Sequence, residues 1–218
     1  YMDDDEKCNV LASIEIRYSG VLKWNDMKAF QKSMKASPEA YAELVSLLFK
    51  KDRANEDEKI AWDTIEDDSK ILQKEQNKED NDKKNRYIEA LYHIYEKAKF
   101  CPAEKCGKVE NSEIKDWIEC FKELLKKNRQ SDRFSYHMGR LLANSPVGED
   151  GYYPCEAVRD MLEEYADETM IDEYVNAIYY GRGIYTPTEG REEKNMAERY
   201  KENAEYLSTR YPKAAEIY

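Results

Sequence analysis

Apolar residues recur at steps of three and four along almost the whole chain, which is the spacing of one face of an α-helix. The stretch from residue 114 to residue 125 shows the pattern clearly, with Ile114, Trp117, Ile118, Phe121, Leu124 and Leu125. Repeated runs of strict apolar and polar alternation, which would indicate strands, do not occur. We therefore predict an all-α fold of about nine to eleven helices, in an irregular bundle or a helical-repeat-like stack, with no significant β-sheet.

Three further segments carry helix signals. One helix face is lined by Val10, Leu11, Ile14, Tyr18, Val21 and Leu22. Ser37-Pro38-Glu39 is typical of a helix start, because Ser caps free amides, Pro suits the first turn and Glu complements the dipole. The buried stripe that should follow comprises Tyr41, Leu44, Val45 and Leu48. Pro154 is expected to start a later helix, with Val158, Met161, Leu162 and Tyr165 facing inward.

The 218 residues fit one domain or two small ones, and the lack of an obvious break favours a single all-helical domain over residues 1–218. Residues 73–86 carry no apolar side chain, so we expect a helix end or a mobile connection there. The chain starts with Tyr1 instead of Met, and we therefore expect it to be a piece of a longer protein.

The charge balance narrows the classes of partner. A net charge of -11 argues against a nucleic-acid binder and against docking on anionic membranes, because both need clustered Lys and Arg. No apolar run approaches the roughly 20 residues that cross a bilayer, and the acidic N-terminus lacks the pattern of a signal peptide. Five cysteines without framework spacing favour reduced thiols, so we expect a cytoplasmic protein.

Searches for chemical motifs indicate no catalytic or metal site. Cys101 and Cys106 could form half of a zinc site, but no second Cys or His pair completes it. Glu89 and His93 are four residues apart and could meet on a helix face, yet the chain offers them no nucleophile or second ligand set. The chain also has no nucleophile elbow, no phosphate-binding loop and no zinc-protease motif. We expect no enzyme activity, no metal and no cofactor.

An Arg and Tyr cluster around two Gly-containing turns is the best candidate for an interaction surface. Tyr and Arg are favoured at interfaces because they combine apolar area with directional hydrogen bonds. The open alternative is that the tyrosines fill the core with their hydroxyl groups at the surface. The candidate interface comprises Arg140, Tyr152, Tyr153, Arg159, Arg182 and Tyr185.

The same region resembles a known group of proteins. Asp150-Gly151-Tyr152-Tyr153-Pro154, the following residues 158–163, and Gly181-Arg182-Gly183-Ile184-Tyr185 carry the resemblance, which extends over residues 139–216. They resemble the C-terminal helical region of large multidomain bacterial proteins of unassigned function. The resemblance implies a C-terminal module of a longer bacterial polypeptide, and it implies no catalytic residue.

Together these features favour a non-catalytic helical module for protein interaction or scaffolding. Its partner would be another protein or other domains of the same polypeptide. The alternative is a ligand-sensing or regulatory helical domain with a polar pocket at the same turns. An enzyme with a carboxylate-based site is the third interpretation.

Overall fold

The computed structural model describes residues 4–19, 21–49, 85–181 and 191–218, and α-helices dominate these ranges. The described residues contain no strand, and an isolated bridge joins Lys105 to Lys108. The predicted all-α fold is therefore confirmed, with ten α-helices in the described ranges. They are α1 (Asp4–Arg17), α2 (Lys28–Ala36), α3 (Glu39–Leu48), α4 (residues 85–97), α5 (Asn111–Lys127), α6 (Phe134–Leu142), α7 (Glu156–Tyr165), α8 (Glu168–Gly181), α9 (Arg191–Leu207) and α10 (Pro212–Ala215).

Two compact units divide the chain. Unit 1 comprises Tyr1–Gln31 and Ala40–Ala98, and unit 2 comprises Lys32–Glu39 and Lys99–Tyr218. Whether the two units fold as one domain stays a prediction. Of the predicted charged connection, residues 73–84 lie outside the described ranges, whereas residues 85 and 86 belong to α4. None of the described helices has the length and apolar character needed to cross a membrane.

In unit 1, α1 is anchored through one of its faces. Ala12 and Ile16 on this face are fully buried. The Glu15 carboxylate accepts hydrogen bonds from the backbone N–H groups of Ala29 and Phe30, at 3.3 and 2.7 Å. Those two groups lie in the first turn of α2, where backbone donors lack partners within the helix. Glu15 of α1 therefore caps the N-terminus of α2, and this contact keeps the Ala12 and Ile16 face of α1 packed inside the unit.

In unit 2, the apolar stripe predicted on α5 forms part of the core. Its buried members are Ile114, Trp117, Ile118, Phe121 and Leu125. The Trp117 indole N–H donates to the Met34 carbonyl oxygen at 3.2 Å, so the ring is both packed and hydrogen-bonded. Local periodicity was sufficient to predict this face because the helix buries it along its whole length.

Helices α6 and α8 pack closely against each other at Gly139. A Cβ atom added to Gly139 would lie 2.2 Å from the Met170 carbonyl oxygen and 3.0 Å from the Tyr174 backbone nitrogen. Both obstacles are backbone atoms, which cannot move aside by a change of rotamer. Only glycine allows the two helices to pack at this distance.

We expect Gly139→Ala to lower the free energy of unfolding by roughly 1–3 kcal/mol, the usual cost of overpacking a core. The gain in helix propensity of about 1 kcal/mol does not offset this loss, because the methyl group meets a main-chain carbonyl. Urea denaturation followed by circular dichroism measures the change. The control is Gly181→Ala, which meets nothing within 4 Å and should leave the midpoint unchanged or slightly higher. An unchanged midpoint for Gly139→Ala would contradict the close approach.

Candidate functional site

Arg159 holds the loop of residues 148–153, which contains two of the predicted interface residues. The Arg159 side chain is 1% exposed, and its Nη1 and Nη2 atoms donate to the two Asp150 carboxylate oxygens at 2.5 and 2.9 Å. Nη2 also donates to the Tyr152 carbonyl oxygen at 2.8 Å. Such a bidentate, charge-assisted pair fixes orientation as well as distance. The guanidinium of Arg159 therefore positions the loop, and its charge is paired with the Asp150 carboxylate.

Backbone contacts close the same loop. The Gly148 N–H donates to the Tyr152 carbonyl oxygen at 2.8 Å. The Glu156 carboxylate accepts from the Glu149 and Asp150 N–H groups at 3.3 and 3.2 Å. A Cβ atom at Gly148 would lie 2.7 to 2.8 Å from carboxylate oxygens of Asp150 and Glu156. The loop thus has one tightly specified conformation, built around two acidic side chains.

Tyr152 and Tyr153, although adjacent, point to different surroundings. The Tyr152 ring stacks on Tyr206 of α9 with centroids 3.7 Å apart and planes 3° apart. The Tyr153 hydroxyl donates to the Ala143 carbonyl oxygen at 2.8 Å and accepts from the Tyr174 hydroxyl at 3.0 Å. Burial raises the pKa of Tyr153 to about 12. Tyr153 is therefore half-buried with its hydroxyl bonded inside unit 2, whereas the alternative that the sequence left open had the hydroxyl groups at the surface.

The remaining predicted interface residues are placed differently. Arg140 is half-buried in the last turn of α6. Burial lowers the pKa of the neighbouring His137 to about 3, with smaller contributions from Arg140 and Arg133. His137 is consequently neutral at pH 7. Arg182 and Tyr185 lie outside the described residues. The structure thus brings Tyr152, Tyr153 and Arg159 together, and the role of the whole cluster as an interface stays a prediction.

No group of three or more potential metal ligands converges within the part of the chain that the structure describes. All five cysteines are free thiols. Cys101 is buried, whereas Cys106 is exposed. Burial raises the pKa of the Cys101 thiol above its ordinary value, which disfavours the thiolate that a metal would need.

An exposed apolar face on α1 is the feature that sequence analysis did not single out. This α1 stripe lies opposite the buried Ala12 and Ile16, and its members are between 46% and 83% exposed. They are Val10, Leu11 and Ile14 of α1, together with Tyr18 and Val21 of the turns that follow its end at Arg17. The sequence predicted one helix face for these residues and for Leu22. Val10, Leu11 and Ile14 do share a face of α1, whereas Tyr18, Val21 and Leu22 follow the end of the helix at Arg17. The sequence did contain a sign that the stripe would be exposed, namely the second apolar pair on α1, Ala12 and Ile16. A helix with two apolar faces in a small unit can bury only one of them.

A cleft of about 680 Å³ lies in unit 1, beside the end of the α1 stripe. One wall is the turn of residues 22–25, and the other is a face of α4. Glu89 and His93, four residues apart on α4, both line it. Three exposed cations also line the cleft, namely Lys23, Arg86 and Lys97.

No family model, no curated protein and no solved structure matches this chain. The resemblance of residues 139–216 to a region of large bacterial proteins therefore stays a prediction. Function has to be inferred from the geometry and charge of the described residues.

Asp150→Asn should destabilise the chain by about 3 kcal/mol at neutral pH, the lower end for breaking a buried ion pair. The pKa of the Asp150 carboxyl is lowered from 3.8 to about 2, chiefly by its hydrogen bond with Arg159. Its stabilisation is therefore complete above about pH 4 and is lost as the pH falls toward 2. Urea denaturation should therefore show that the difference in free energy of unfolding between wild type and variant shrinks as the pH falls from 4 toward 2.

The matched control for this prediction is Glu149→Gln. Glu149 pairs with Lys108 at 2.8 Å, but its side chain is 82% exposed, so the variant should unfold at nearly the same urea concentration as wild type. A difference between wild type and Asp150→Asn that stays constant down to pH 2 would contradict the ion pair with Arg159.

Proposed function

We propose that this chain is a non-catalytic protein-interaction module that binds a helical segment of another protein through the α1 stripe. The observation that carries the proposal is the exposure of five neighbouring apolar residues, three on one face of α1 and two in the turns directly after it. Monomeric proteins rarely expose contiguous apolar patches larger than a few hundred Å², and the largest patch on a monomer is often functional. The face is free to bind because α1 is anchored to unit 1 through its opposite side.

The spacing of the stripe favours a helix as the occupant. Within α1, Ile14 lies four residues after Val10 and three after Leu11. Side chains at these steps form a ridge that packs into the groove of a second helix. Recognition of an amphipathic helix by its apolar anchors is a recurring mode of peptide binding.

The size of the stripe favours a different protein over a second copy of this chain. Stable complexes bury about 800 Å² on each partner. Five side chains are far fewer than the roughly 20–30 residues that each side of such an interface uses, which suits a reversible complex with a short segment. A second copy remains an outcome that the binding experiment distinguishes, because it would appear as a dimer without added partner.

The second candidate function is the ligand-sensing domain that the sequence left as an alternative. The cleft between α4 and residues 22–25 supports it, because its volume of about 680 Å³ lies in the range of small-molecule sites. The sequence had placed such a pocket at the two Gly-containing turns of residues 139–216, and this stays a prediction because most of the second turn lies outside the described residues. We favour protein binding because the apolar stripe adjoins the cleft.

The test uses a synthetic amphipathic helix with Leu on one face and uncharged Gln on the other, labelled for fluorescence anisotropy. We expect the double variant L11S/I14S to bind this Leu/Gln peptide at least tenfold more weakly than wild type. Tenfold corresponds to about 1.4 kcal/mol, which is less than the roughly 1.5–3 kcal/mol gained by burying even one such side chain.

The control variant V147S/V175S removes two exposed apolar residues of unit 2 and should bind like wild type. All three proteins should unfold at similar temperatures, since the substituted residues are exposed. Absence of Leu/Gln peptide binding to wild type would contradict the proposed function. A concentration-dependent dimer of the wild type, lost in L11S/I14S, would replace it with self-association.

A further inference from the structure

The cleft beside the α1 stripe concentrates positive charge in a chain of net charge -11. Arg86, His93 and Lys97 recur on the cleft-facing side of α4, and Lys23 lies on the opposite wall. Glu89 is the single carboxylate among the residues that line the cleft. None of the three cations forms an ion pair with another described residue. Their charges are therefore available to an anionic ligand.

The spacing of these charges along α4 indicates a long ligand with more than one negative charge. Arg86 and Lys97 are eleven positions apart on one helix, which separates their backbones by about 16 Å at 1.5 Å per residue. A single phosphate or carboxylate could meet only one end of this row. A helical segment of about eleven residues spans the same length.

The cleft also has an apolar part that alternates with the charges. Leu22, Trp24 and Ile94 contribute to the lining. Trp24 is held in place by an edge contact to Phe30, with centroids 6.4 Å apart. The Gln31 side chain donates to the Trp24 carbonyl oxygen at 2.5 Å, which fixes the turn itself. The site therefore suits a segment that carries both acidic and apolar side chains.

The cleft continues directly from the α1 stripe. Ser19 and Leu22 line the cleft, while Tyr18 and Val21, their neighbours in sequence, belong to the stripe. The backbone turns sharply at this point, because the Leu22 N–H donates to the Tyr18 carbonyl oxygen at 2.9 Å. One partner segment can therefore contact the stripe with its apolar residues and the cleft with the residues next to them.

We infer that the partner of this module is an acidic segment, whose Glu or Asp side chains bind Lys23, Arg86 and Lys97 while its apolar residues cover Trp24 and the α1 stripe. This inference rests on the proposed function and names the chemistry of the partner. A single-stranded nucleic acid also combines negative charge with stacking groups. The peptide is favoured because three cations in an otherwise acidic chain are few for phosphate binding, which uses extended basic surfaces.

The experiment compares three labelled helical peptides with the same Leu face and with Gln, Glu or Lys on the other face. We expect wild type to bind the Leu/Glu peptide at least tenfold more tightly than the Leu/Lys peptide at low salt. Raising the salt concentration should shrink this preference, because exposed charges are screened. In nitrogen-edited NMR spectra, the Leu/Glu peptide should shift the Trp24 indole signal and the amides of residues 86–97.

The charge-reversal variant R86E/K97E should abolish or invert the preference for the Leu/Glu peptide. The matched control K127E/R199E reverses two exposed cations of unit 2, so it has the same net charge and should keep the preference. R86Q/K97Q provides a second variant without added negative charge, and it should reduce the preference. Equal binding of the Leu/Glu and Leu/Lys peptides, or wild-type behaviour of R86E/K97E, would overturn the inference.

These outcomes separate the inference from the proposed function. If binding of the Leu/Gln peptide requires Leu11 and Ile14 while peptide charge has no effect, the proposed interaction module is supported and the acidic partner is ruled out. If the Leu/Gln peptide fails to bind, the proposed function itself fails. Inorganic phosphate and an oligothymidylate are tested as competitors of the Leu/Glu peptide at the same NMR signals. If either binds more tightly than the peptide, the acidic segment as the partner is also overturned.

Discussion

A guanidinium that is almost completely removed from water needs acceptors close at hand, and the C-terminal part of unit 2 is organised around this need. Arg159 of α7 finds its acceptors in Asp150 and in the Tyr152 carbonyl group. The Tyr206 hydroxyl of α9 donates to the same Asp150 carboxylate at 3.2 Å. The guanidinium also lies 5.6 Å from the centre of the Tyr211 ring, just before α10. One buried charge therefore joins a loop and three helices.

Unit 1 is governed by a different constraint, which is that α1 carries more apolar surface than the described part of the unit covers. Glu15 and Ser13 fix how α1 sits, since they bond with the start of α2 and with Glu43 of α3. Once that orientation is set, Leu11 and Ile14 face outward. The exposed stripe thus follows from how α1 is anchored, and the basic cleft follows from the turn that α1 leads into.

The sequence predicted the helices well because their signals are local. The stripe on α5 and the inward face of α7 were both predicted, and Ile118 and Leu162 are buried as expected. The predicted start of α7 was less accurate, because Pro154 was expected to begin the helix and the helix begins at Glu156. The reason is a contact distant in sequence, because the Cys155 N–H donates to the Pro146 carbonyl oxygen at 3.0 Å. Single residues at helix ends depend on such contacts.

Helix content and the pairing of Leu11 with Ile14 on one face were determined by the sequence itself, because both depend only on the period of the α-helix. Tertiary structure alone decided which faces meet water. Arg159 seemed suited to a surface by residue type, yet it is buried because Asp150 lies within reach of it. The α1 stripe resembled a core face by its pattern, yet it is exposed because Glu15 turns the opposite face inward. Periodicity specifies what shares a face, whereas burial depends on partners that are distant along the chain.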